Sequence, residues 1–126
     1  MLRSKQLAGK TAIITGSNRG IGREIMTLFA SEGASIIACA RKESAEFSEL
    51  IARISSQYDV AIEPLYFDMG DDEGIKSAFK PLYQMKRSID VLVNNAGVAA
   101  GGMLQMTAMT KLKEVFQLNF FSHVLV

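Results

Sequence analysis

Chemistry in this chain starts at Thr15-Gly16-Ser17-Asn18-Arg19-Gly20-Ile21-Gly22. This glycine-rich turn follows the apolar run Ala12-Ile13-Ile14 and precedes a helical pattern with Ile21, Ile25, Leu28 and Phe29 on one face. A strand that breaks at glycine and restarts as a helix aims unpaired N–H groups at whatever occupies the turn, which makes a seat for phosphate or pyrophosphate. Glycine lets the backbone turn sharply and come close to the ligand without a Cβ in the way. An ordinary strand-to-helix connection can look the same, so other residues must decide. Three further groups follow apolar runs: the cation Arg41, the carboxylate Asp68, and Asn95-Ala96-Gly97.

The elements that position them alternate. Apolar runs near 11–15, 35–40, 60–67 and 90–94 suit buried strands, and helical patterns near 20–32, around Phe47, Leu50, Ile51 and Ile54, and over 72–85 lie between them. Gly33 is placed as a helix stop, and acidic residues open the third helix favourably. A last helical pattern starts near Thr107. Pro64 cannot donate to a ladder and predicts an edge strand. Pro81 is expected to kink or split the third helix. Strand–helix alternation specifies a parallel sheet with helices on both faces, doubly wound, with strand order 3-2-1-4.

In such a sheet all strands end on one side, and ligands bind there, between strands 1 and 4. The glycine turn, Arg41, Asp68 and Asn95-Ala96-Gly97 therefore form one spatial set suited to a dinucleotide. Plainer readings exist for each: a solvated charge for Arg41, a turn opener for Asp68 ahead of Gly70-Asp71, and turn residues for Asn94-Asn95. The end of strand 2 holds Ala40 and then Arg41, where an NAD site usually places an acid, and the glycine turn carries Arg19. Two guanidinium groups suit a 2′-phosphate, so NADP is favoured over NAD.

Composition sets the class. Of 126 residues, 48% are hydrophobic and 21% charged, with a net charge of +1, as in one ordinary globular domain without a footprint for nucleic acid or an anionic membrane. No apolar stretch is long enough to span a bilayer, and the N-terminus has no signal-peptide core. The single cysteine, Cys39, reads as a buried strand residue; no Cys/His cluster suggests a metal, and a reducing, cytoplasmic setting fits.

Thr-Gly-x-x-x-Gly-x-Gly at 15–22, Asp68, Asn94-Asn95-Ala96-Gly97 and Asn119 together resemble the short-chain dehydrogenase/reductase family, most closely its 3-oxoacyl-carrier-protein reductase branch. The resemblance covers the whole chain and implies a Rossmann-type doubly wound sheet. It also implies that Gly16, Ser17, Arg19, Gly20 and Ile21 hold the adenosine ribose and phosphates, and that Arg19 and Arg41 are the basic positions of NADP-preferring members. Asp68 and Met69 would meet the adenine; Asn95, Ala96 and Gly97 would pass beneath the cofactor riboses. Asn119 matches the catalytic asparagine that orders a water chain to a catalytic lysine. Read from the residues alone, Asn119 lies on the apolar helix face set by Leu112, Val115 and Phe116, where a polar group needs a buried partner; a satisfied core Asn is the alternative. His123 is given no catalytic role. Met103, Met106 and Met109 suit either an adaptable substrate lining or plain helix packing.

The sequence departs from the family in one respect. Catalysis there depends on Ser and on Tyr-x-x-x-Lys, and none of the three tyrosines here, Tyr58, Tyr66 and Tyr83, is followed four residues on by lysine. The chain is therefore expected to be the N-terminal portion of a longer enzyme: 1–126 is a cofactor-binding half-domain, with the sheet truncated after four strands and without the catalytic Ser, Tyr and Lys. The implied function is hydride transfer between NADP(H) and a small-molecule carbonyl or alcohol, acyl-carrier-linked substrates included, by a protein that is homo-oligomeric at full length. The alternatives are a non-catalytic dinucleotide-binding module complete as given, and another Rossmann-like user such as a methyltransferase, which leaves Asn-Asn-Ala-Gly and Asn119 unexplained.

Overall fold

The computed structural model describes residues 5–97 together with residues 110 and 113. Its elements run β1 (Thr11–Ile14), α1 (Gly20–Ser31), β2 (Ser35–Ala40), α2 (Ala45–Tyr58), β3 (Ile62–Tyr66), α3 (Asp72–Gln84) and β4 (Val91–Val93). The four strands form one parallel sheet in the order β3-β2-β1-β4, as the alternation of apolar runs and helices predicts. The helical pattern expected from Thr107 onward lies outside the described residues except at Thr110 and Lys113, both helical.

Period-2 geometry sorts the strand side chains onto two faces. Ala12, Ile14, Ile36, Ala38 and Ala40 pack on one face with Met26 and Ala30 of α1 and with Phe47, Leu50, Ile51 and Ile54 of α2. Ile13, Ile37 and Cys39 face the other way, against Phe67 and against Ile75 and Phe79 of α3. β1 and β2 are nearly continuous apolar runs because both of their faces are covered, the usual condition of central parallel strands.

Pro64 lies on β3 opposite Ala38, with β2 as that strand's only neighbour among the described residues, so its missing N–H faces away from the ladder. Pro81 does not split the helix: α3 runs through it as one element. The ring removes a donor to the carbonyl of Ser77, but Pro81 sits in the last turn on an exposed surface and its own carbonyl accepts from Met85 N at 3.0 Å. No helix among the described residues is long and apolar enough to cross a membrane.

Candidate functional site: a cleft at the strand ends

The C-terminal ends of all four strands open into a cleft of about 950 Å³. Its lining comes from every strand end: Gly16, Arg19 and Gly20 after β1, Arg41 and Lys42 after β2, Asp68 and Met69 after β3, and Asn95, Ala96 and Gly97 after β4.

α1 aims its N-terminus at this cleft. Its first turn holds no acidic residue, and its N-cap, Arg19, makes no side-chain capping bond. The other two helices differ. Ser44 Oγ accepts from Phe47 N at 3.1 Å at the start of α2, and Asp71 Oδ1 accepts from Gly74 N at 3.1 Å at the start of α3, with acidic residues in both first turns. A capping side chain satisfies one free N–H group in each of α2 and α3, whereas the N-cap of α1 satisfies none with its side chain.

The floor of the cleft is backbone, held by a small network around Thr15. The Thr15 hydroxyl accepts from Asn95 N and from Ala96 N, each at 3.0 Å, and donates to Val93 O at 3.3 Å. Asn95 Nδ2 returns the connection by donating to Thr15 O and Gly16 O, each at 3.3 Å. The loops after β1 and β4 are thereby stapled together. On the other side, Ser17 N donates to Cys39 O at 3.0 Å, which ties the same turn to β2.

Two glycines make this closeness possible. Gly16 has φ of +65°, and a Cβ there would lie 3.0 Å from Asn95 Nδ2 and 3.2 Å from Ala96 Cα. A Cβ on Gly22 would lie 2.0 Å from the Gly16 carbonyl oxygen, so no side chain fits where α1 meets the turn.

The rim is charged. Arg19, Arg41 and Lys42 supply three cations, and Asp68 is the one carboxylate among the described lining residues. Arg41 Nη2 lies 3.6 Å from Asp68 Oδ2, in an exposed ion pair. Asp68 Oδ1 accepts from Gly70 N at 2.8 Å, so the carboxylate is oriented by its own loop.

Two of the residues predicted for the site are absent from the cleft lining. Ser17 is fully buried, its hydroxyl donating to Ile14 O at 2.7 Å, and it is absent from the lining. Ile21 is 73% exposed and lies against a separate shallow apolar groove on α1 with Ile25 and Leu28. Asn119 falls outside the described residues. Conversely, Asn18, Lys42 and Ser44 line the cleft and Thr15 organises its floor, roles not assigned from the sequence. The Arg41-Lys42 pair and the glycine turn itself were the available signals for Lys42 and Asn18. No group of His, Cys, Asp and Glu among the described residues could hold a metal ion.

Cys39 also borders the cleft, yet it is buried, and desolvation pushes its thiol from 9.0 up to about 12. Such a thiol is a core residue, not a nucleophile.

A family model described as short chain dehydrogenase matches residues 10–126. The chain belongs to the short-chain dehydrogenase family. That places it in an oxidoreductase class. It is 33% identical over 122 residues to the 3-oxoacyl-[acyl-carrier-protein] reductase FabG of Aquifex aeolicus, covering 96% of this chain and 48% of that protein. Among solved structures, L-sorbose reductase of Gluconobacter frateurii, complexed with NADPH and L-sorbose, superposes with a TM-score of 0.87 at 28% identity, over 98% of this chain and 46% of the reductase. RhlG of Pseudomonas aeruginosa, solved as an NADP active-site complex, gives a TM-score of 0.80 at 30% identity, over 99% of this chain and 48% of that one. This short-chain dehydrogenase chain thus spans about half the length of the relatives it matches.

Proposed function

We propose that this chain is the NADP(H)-binding portion of a short-chain oxidoreductase that moves a hydride between the nicotinamide and the carbon of a small carbonyl or alcohol. The observation that carries the reading is the uncapped N-terminus of α1, open onto a cleft whose rim holds Arg19, Arg41 and Lys42. The floor, with no Cβ at Gly16, Gly20 or Gly22, leaves the backbone N–H groups accessible to a pyrophosphate. Arg41 and Lys42 stand at the end of β2, where the adenosine ribose of a dinucleotide crosses this type of sheet, and they favour a 2′-phosphate over bare hydroxyls. Asp68 and Met69 would flank the adenine, and Asn95, Ala96 and Gly97 would run beneath the riboses. When bound, NADP(H) supplies the hydride; the residues named here bind and orient it.

The relatives solved with NADPH and with NADP support this choice of cofactor. The likeness to FabG supports an acyl-carrier-linked substrate. Asn119 stands at the family's asparagine position and is assigned its water-ordering role within a full-length homo-oligomer that also carries Ser and Tyr-x-x-x-Lys.

The test is nucleotide binding by the 126-residue chain, followed by reduced-nicotinamide fluorescence. NADPH is expected to bind more tightly than NADH. Arg41→Gln should weaken NADPH by about tenfold, the scale of one lost charge-assisted contact, and leave NADH within about twofold. Equal affinities for the two nucleotides in the parent chain would refute the assignment.

A further inference from the structure

The cleft rim contains a charge that opposes its proposed ligand. Among the described lining residues three are cationic and only Asp68 is acidic, and Asp68 lies against Arg41, the cation best placed for a 2′-phosphate. The contact is not incidental to a floppy side chain. Asp68 Oδ1 is held by Gly70 N at 2.8 Å, and Asp71 N bonds Asp68 O at 3.0 Å, so the loop after β3 fixes the carboxylate with Oδ2 turned toward Arg41 Nη2. Arg41 extends from the end of the neighbouring strand β2, with its side chain 72% exposed. An incoming dianion must therefore draw the guanidinium away from a carboxylate that stays in place, or share it.

Resting on the NADP reading above, we propose that Asp68 is an electrostatic brake on the 2′-phosphate subsite, lowering through Arg41 the preference of the cleft for 2′-phosphorylated over unphosphorylated adenine nucleotides. The scale is set by solvent. Both partners are substantially exposed, and an exposed ion pair of this kind is weak. Its release is worth at most about fivefold in binding and is screened by salt. A brake of that size tunes the affinity for the phosphorylated nucleotide without abolishing selectivity, because Arg19, Arg41 and Lys42 still outnumber it.

The test compares adenosine 2′,5′-bisphosphate with AMP by calorimetry on the 126-residue chain. Asp68→Asn is the variant, because the amide keeps an oxygen for Gly70 N and removes only the charge. The readout is the ratio of the two dissociation constants. A contact of residue 68 with adenine affects both ligands and cancels, as does any change in the folded fraction. We expect D68N to raise the preference for the bisphosphate by up to about fivefold at low salt, and by much less at 1 M salt. With Arg41→Gln already present, D68N should leave the ratio nearly unchanged. An unchanged or lowered ratio in D68N overturns the proposal while leaving the NADP reading intact. An equal gain with and without Arg41 overturns the route through Arg41. If the parent chain binds neither nucleotide, or does not prefer the bisphosphate and R41Q changes nothing, the NADP reading fails and the brake with it.

Discussion

Gly22→Ala tests how the glycine turn is built, because two effects of known sign oppose each other there. Gly22 lies inside α1 and its φ is not positive, so alanine is conformationally allowed and, on helix propensity alone, should stabilise the chain by about 1 kcal/mol. Sterics run the other way. The added Cβ would stand 2.0 Å from the Gly16 carbonyl oxygen and 2.6 Å from Asn95 Nδ2, so the oxygen must move away by about 1 Å and the amide by about 0.4 Å even to reach the 3.0 Å below which real contacts hardly occur. The Gly16 turn cannot yield freely, since Thr15 and Asn95 tie it to the loop after β4 and Ser17 ties it to β2. Overpacking against backbone costs about 3 kcal/mol, and pulling Asn95 away forfeits its bonds to Thr15 O and Gly16 O, about 1 kcal/mol more. Net of propensity, G22A should be destabilised by about 3 kcal/mol. Urea unfolding followed by far-UV circular dichroism reads this as a midpoint lowered by roughly 1–3 M, given the usual slope for small domains. A G22A midpoint equal to or above the parent's would show that the turn and α1 do not meet as closely as described.

Two other perturbations probe the surroundings of the turn. Thr15→Val keeps the shape and removes the acceptor used by Asn95 N and Ala96 N; it should cost about 2 kcal/mol in urea unfolding, while Thr15→Ser, which retains the hydroxyl, recovers most of it, and a T15V midpoint unchanged from the parent would refute the staple. Cys39 should resist iodoacetamide in the native chain at pH 8 and react readily in urea, because burial holds its thiol near 12. The same shift has a defined effect on stability. The native thiol keeps its proton where the unfolded one, at about 9, loses it, so this contribution is complete below pH 9 and falls by about 1.4 kcal/mol per pH unit toward pH 12. Cys39→Ala should flatten the alkaline limb, and an identical limb in both chains would count against the burial of the thiol.

Much of the fold was legible because the relevant signals are local. Continuous apolar runs marked β1 and β2, helical spacing marked α2, and Pro64 put β3 at the edge by the loss of one donor. Pro81 falls in the last turn of α3, where the loss of one donor did not end the helix. The strand ends were also legible as a set, since a parallel sheet brings them to one side whatever their side chains do. Individual contacts were not. The Thr15 hydroxyl reaches residues about 80 positions away, and no spacing rule pairs Arg41 with Asp68. Ser17 is different: its hydroxyl returns to the carbonyl three residues back, a local habit of serine that argues for a buried structural role from sequence alone.

The cleft consequently divides into two parts that respond to different changes. Its floor consists of backbone groups fixed by Thr15, Asn95, Ser17 and the absent Cβ atoms of Gly16 and Gly22, and substitutions there cost stability because each strains or unsatisfies buried atoms. Its rim consists of Arg19, Arg41, Lys42 and Asp68, exposed or half-exposed charges that carry little folding energy. In the proposed reading a 2′-phosphate would meet only the rim, whereas a pyrophosphate would meet the floor. Charge changes at residues 41 and 68 should therefore alter which nucleotide is preferred at nearly constant stability. Changes at residues 15 and 22 should weaken both nucleotides together and lower the unfolding midpoint. If a rim variant shifted the midpoint as much as T15V, the charges would belong to the structural core of the site, and the separation of holding from selecting would be wrong.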